Sequence, residues 1–97
     1  QMWTTEFGWA TWEGFSVPPP EPWMEFGTSE QQTNYILRAF QIGQENDDMG
    51  PMFLWNLNFA RDTVIANSNT NAAFSILVGD GLTPRNLYEV LKARSQG

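Results

Sequence analysis

The chain has 97 residues, 41% apolar, 16% charged and 14% aromatic, with a net charge of −6. That size fits one small globular unit, and five scattered basic residues do not make the concentrated cationic surface on which DNA or RNA binding rests, so no nucleic acid partner is expected. With neither cysteine nor histidine, disulfides, thiolate nucleophiles, imidazole bases and ordinary zinc sites are excluded; no metal or other cofactor is expected, and any catalysis has to run on carboxylates.

No apolar run reaches the length of a transmembrane helix, so no membrane partner is expected. The chain opens at Gln1 rather than at an initiator Met, and an upstream signal or domain removed from it is one expectation from that start. Residues 1–6 read as a strand, Thr-rich and aromatic, with Gly8 marking its end. Alternation places Met2, Thr4 and Glu6 on one face and Trp3, Thr5 and Phe7 on the other, and Trp3 is expected to pack in the core. Residues 7–27 form a long loop in which Pro18, Pro19, Pro20 and Pro22 forbid a lasting helix or inner strand. Loops of that length in compact domains are usually functional or disordered. Four of the five tryptophans lie within the first 23 residues, and Trp9, Trp12, Phe15, Trp23 and Phe26 favour a loop that packs on itself or holds a ligand. Trp9 and Trp12 are open to both roles, stacking on sugar rings or anchoring the loop; Trp23, beside Pro22, is expected to pack on proline.

A helix is predicted over 28–46, with Thr28 as N-cap, Gln31 completing a capping box and Glu30 in the first turn. Its buried stripe is Ile36, Ala39, Phe40 and Gly43. Residues 52–58 form an almost continuous apolar run, the pattern of a strand buried on both faces of a parallel sheet. Residues 59–82 read as a loop, polar through Asn67–Asn71, with "AAFSIL" too short to assign and "VGDGL" a turn. The last helix is predicted over 83–95, with Thr83 as N-cap, Pro84 at its first position, and Leu87, Val90 and Leu91 on one face. The order is βαβα, the α/β unit of a parallel sheet. Two parallel strands cannot cover their own faces and edges, so additional strands are expected from another chain or from an upstream segment.

The stretches "WTTEFGW" (Trp3 to Trp9) and "PMFLWNLNF" (Pro51 to Phe59) resemble the seventh and eighth strands of a clan A retaining glycoside hydrolase with a (β/α)8 barrel. "AAFSILVGDGLTPRNLYEVLKA" (Ala72 to Ala93) is similar to the closing segment of cellulase-family and β-xylosidase-like enzymes. The resemblance covers essentially the whole chain, which would be the C-terminal quarter of such a barrel. It implies that Glu6 matches the catalytic nucleophile and that Trp55 matches the tryptophan under the sugar next to the cleaved bond. Active sites of such barrels lie at the C-terminal ends of the strands, which is where Glu6 stands.

A retaining mechanism also needs an acid/base about 5–5.5 Å from the nucleophile. The family supplies it as a Glu preceded by Asn, and no Asn-Glu pair occurs in this sequence. Glu13, Glu21, Glu25 and Asp62 are expected to be solvated loop carboxylates, and Asn56 and Asn58 an ordinary polar end to a strand. The expected function is therefore a segment of a retaining β-glycosidase, inactive alone, whose partners are a β-linked carbohydrate and the N-terminal part of the barrel as a separate chain. The alternatives are a Trp-rich carbohydrate-binding module without catalysis and a structural barrel fragment. The sequence leaves localisation open, secretion being what action on polysaccharide implies.

Overall fold

Thr28 starts the helix around which the rest is built. Its hydroxyl accepts the Gln31 backbone N–H at 3.0 Å, and its own N–H donates to Gln31 Oε1 at 3.0 Å, the reciprocal bonds of a capping box. In the computed structural model, which describes residues 2–96, this helix is α1, Ser29–Glu45. Gln1, the first residue of the expected opening strand, lies outside the described residues. Ile36 and Gly43 are buried and Ala39 and Phe40 half-buried, so the expected stripe is the face α1 turns inward.

That stripe packs on a parallel pair of strands, β1 (Met2–Phe7) and β2 (Met49–Leu54), in the register Met2 to Met49, Thr4 to Met52 and Phe7 to Leu54. Irregularities lie between Met2 and Thr4 and between Thr4 and Phe7, and they break the strict alternation expected of β1. Thr4 and Phe7 are both half-buried, whereas Trp3, Thr5 and Glu6 are exposed. Phe7 meets Phe40 of α1 edge-on, with ring centroids 5.0 Å apart. Glu6, its neighbour in the chain, is exposed.

Two expectations for this sheet are corrected. Trp3 is not a core residue but 60% exposed, and Phe53 is 49% exposed, so β2 is not covered on both faces. Met52 packs its sulfur against Gly43, where a Cβ would collide, and Leu54 joins the cluster around Ile36 and Leu87. Phe53, between them, turns the other way and lies 6.4 Å from the Trp3 ring. The helices form one layer, and the described residues supply nothing for the second.

β2 also ends at Leu54, four residues before the expected end. The Trp55 N–H still donates to Phe7 O at 2.7 Å, but Asn56 then bends the chain. Its Nδ2 donates to Asn71 O at 2.8 Å and its Oδ1 accepts from the Phe59 N–H at 3.2 Å. The Trp55–Asn56 peptide is cis.

The segment expected as a loop over 59–82 holds short elements: α2 (Asp62–Ala66), α3 (Thr70–Ala73) and β3 (Leu77–Val78). Side chains bonding to nearby backbone order it. Asn69 Oδ1 accepts the Asn71 N–H at 2.9 Å, and Asp62 and Asp80 each accept the other's backbone N–H, at 3.1 and 3.0 Å. Thr83 and Pro84 do not open the last helix as expected. They form β4 (Thr83–Pro84), antiparallel to β3, an edge position where proline sacrifices no ladder donor. The last helix, α4, runs Asn86–Gln96 and buries Leu87. Within the first loop a short 3-10 helix spans Pro22–Phe26.

The fold is thus a mixed α/β arrangement with small sheets. One core cluster joins α1, α4 and the strands through Ile36, Ile76 and Leu87. The other fastens the first loop to α3 through Trp12, Met24, Ala72 and Ala73. The body measures 42 × 28 × 19 Å with a radius of gyration of 13.8 Å, against about 12.5 Å for a rounded domain of this length. It is a slab one helix layer and one strand layer thick.

Candidate functional site

The C-terminal end of the parallel pair holds Glu6 and Trp55 on neighbouring strands. Phe7 and Leu54 are the last register partners; Glu6 precedes the first and Trp55 follows the second, so the two flank the end of the ladder. The Glu6 carboxylate is exposed and takes part in no hydrogen bond or ion pair among the described residues. Glu6 lines none of the main surface depressions, of about 220 to 430 Å³, among the described residues. Trp55 is half-buried and held edge-on by Phe59, with centroids 4.9 Å apart. Gly8 locks the two strand ends at close range: a Cβ there would stand 2.5 Å from Trp55 O and 3.1 Å from Phe74 Cδ1, so only glycine permits this approach.

Trp9 and Trp12 take different roles. Trp12 is 5% exposed, its indole N–H donates to Val17 O at 2.7 Å, and it packs edge-on against Phe15 at 4.7 Å. It anchors the loop and is withdrawn from the residues available to stack on a sugar. Trp9 remains exposed and leans on Tyr35 of α1, with centroids 4.4 Å apart and planes 55° from parallel. Its carbonyl accepts from Gln32 Nε2 at 3.1 Å, a buried side chain that fixes this part of the loop to the helix.

Beside Trp9 lies a depression of about 390 Å³, lined by Trp23, Phe26, Gln31, Tyr35 and Phe74. Trp23 does not pack away on proline but is 56% exposed, and Phe26 is 77% exposed. Sequence reasoning missed Tyr35 and Phe74 as neighbours of the loop aromatics. The available signal was Tyr35 itself, an aromatic off the buried stripe of α1.

The remaining carboxylates are dispersed. Glu13 and Glu25 border a separate depression of about 430 Å³ behind Trp12, and Glu21 is exposed. Asp62 is committed to the Asp80 N–H. Asn56 is buried and wholly engaged in the turn after β2, while Asn58 is exposed. Arg85 is buried under the first loop, with Nη1 and Nη2 donating weakly to Glu13 O and Thr11 O at 3.5 and 3.4 Å and the guanidinium 5.0 Å from the Phe15 ring centroid. Burial lowers its pKa to about 10, opposed by the Glu13 charge.

No family model matches the sequence, and neither a curated protein nor a solved structure matches it significantly.

Proposed function

We propose that the chain is a segment of a retaining β-glycosidase, the C-terminal part of a (β/α)8 barrel, with Glu6 as its nucleophile. The observation carrying this reading is the position of Glu6 and Trp55 on either side of the last register pair, Phe7 and Leu54, at the C-terminal ends of adjacent parallel strands. Barrel enzymes carry their chemistry at that end. The exposed Trp3 and Phe53 face and the slab shape support a sheet that continues into strands supplied from elsewhere, since parallel sheets are covered on both faces.

In this role the Glu6 carboxylate attacks the anomeric carbon, and the bond to the leaving oxygen breaks as an acid on the missing part protonates it. The same group then takes a proton from water, which attacks the anomeric carbon and frees Glu6. Trp55 supplies a flat apolar face beneath the reacting ring, and Trp9 lies nearby for a further sugar. The helices and the parallel strand pair favour this over a carbohydrate-binding module, which is ordinarily an antiparallel sandwich.

Intact-mass analysis of what copurifies with the chain identifies the completing strands. In the assembled protein, Glu6→Gln is expected to lower turnover of an aryl β-glycoside by roughly 10³-fold or more while sugar binding persists. Unchanged turnover rejects the assignment.

A further inference from the structure

We infer that the aromatic depression beside Trp9 is a second carbohydrate subsite, holding a neutral sugar unit of a β-linked chain away from the reacting bond. Carbohydrate handling at the Glu6 rim is presupposed. Three features of the depression point to this ligand. First, Trp9, Trp23, Phe26 and Tyr35 all present exposed rings to one space, whose volume of about 390 Å³ lies within the roughly 300–1,000 Å³ of small-ligand sites.

Second, its polar groups are spare. Gln31 commits its Oε1 to the cap of α1, but its amide N–H2, the indole N–H groups of Trp9 and Trp23 and the Tyr35 hydroxyl have no hydrogen-bond partner among the described residues. Flat apolar faces edged by free donors match a pyranose ring, which has apolar C–H faces and an equatorial rim of hydroxyls. No carboxylate or cation lines the depression, so the match is to a neutral sugar rather than an ionic ligand.

Third, the depression is continuous with the candidate reacting centre. Gly8 forms part of its wall two residues after Glu6, and Phe74, also lining it, borders Gly8 together with Trp55 O, the two standing 3.1 and 2.5 Å from where a Gly8 Cβ would lie. A glycan chain lying over Trp55 can therefore run on into this space.

Affinity electrophoresis of the chain through gels containing hydroxyethylcellulose, mixed-linkage β-glucan or arabinoxylan tests the assignment. Retardation by at least one polymer is expected, weakened roughly three- to tenfold by Trp23→Ala and by Tyr35→Ala, partly restored by Trp23→Phe, and unaffected by Asn34→Ala, an exposed α1 position outside the depression. Far-UV circular dichroism of the variants separates loss of binding from loss of fold, and Phe26→Ala, at the most exposed of these rings, serves if Tyr35→Ala unfolds. No retardation by any polymer, or retardation indifferent to Trp23 and to whichever of Tyr35 and Phe26 is tested, overturns the subsite. Self-association abolished by Trp23→Ala, without polymer binding, would assign the same surface to a protein contact instead. Because Glu6→Gln reports only on turnover and the Trp23 variants on this subsite, either assignment can fail without the other.

Discussion

Arg85 shows how much of this fold rests on single side chains that join distant segments. It reaches from the start of α4 to the carbonyls of Thr11 and Glu13 and covers Phe15, so it fastens the first loop to the C-terminal part of the chain. Its Nε is buried without a partner among the described residues, and a desolvated charge with long hydrogen bonds contributes little net stability. Arg85→Ala, which also empties the space, is expected to cost roughly 2–3 kcal/mol in urea unfolding, whereas Arg85→Met should recover most of that because its stem still packs. The sign with pH follows from the depressed pKa. Folding disfavours the charged form, so this group's penalty is constant below about pH 10 and is relieved as pH rises above it towards the ordinary arginine range. Wild type is therefore expected to gain on Arg85→Met between pH 9 and pH 11, measured by paired urea melts.

Among the elements, α1 carries the site more than either strand does. Its capped first turn holds Gln31 in place, Gln32 fixes Trp9, Tyr35 backs Trp9, and Phe40 presses on Phe7 beside Glu6. Thr28→Ala removes the side-chain acceptor for the Gln31 N–H and is expected to cost about 1 kcal/mol, read as a lower urea midpoint. Thr28→Ser should retain the bond and most of the stability. The first loop is an ordered element in its own right, because the Thr11 hydroxyl donates to Gly27 O at 2.9 Å and its N–H to Ala73 O at 2.8 Å. Those bonds, with the burial of Trp12, keep Trp9 and Trp23 available on its outer side.

For the whole molecule, the open sheet face is the dominant feature. Trp3 and Phe53 are both exposed, with their rings 6.4 Å apart across β1 and β2, and contiguous apolar surface of this kind marks an interface. Sedimentation of the isolated chain is expected to show association that grows with concentration. Phe53→Glu should shift it towards monomer and change unfolding stability by no more than about 0.5 kcal/mol, as substitutions at exposed positions do. A sharp monomer at all concentrations would contradict the proposal that neighbouring strands complete the sheet.

Local patterns determined what the sequence could determine by itself: the α1 cap and its stripe, the order strand, helix, strand, and a carboxylate near the first strand's end. Each depends on residues within a few positions of one another, where periodicity, capping and proline chemistry act directly. Only the tertiary structure decided that Trp12 is buried while Trp23 is exposed, that β2 stops at Leu54, that Thr83 and Pro84 pair with β3 instead of capping α4, and that Tyr35 and Phe74 join the loop aromatics. Those outcomes hang on partners tens of residues away, and a side chain's own chemistry does not say which of two apolar surfaces will reach it first.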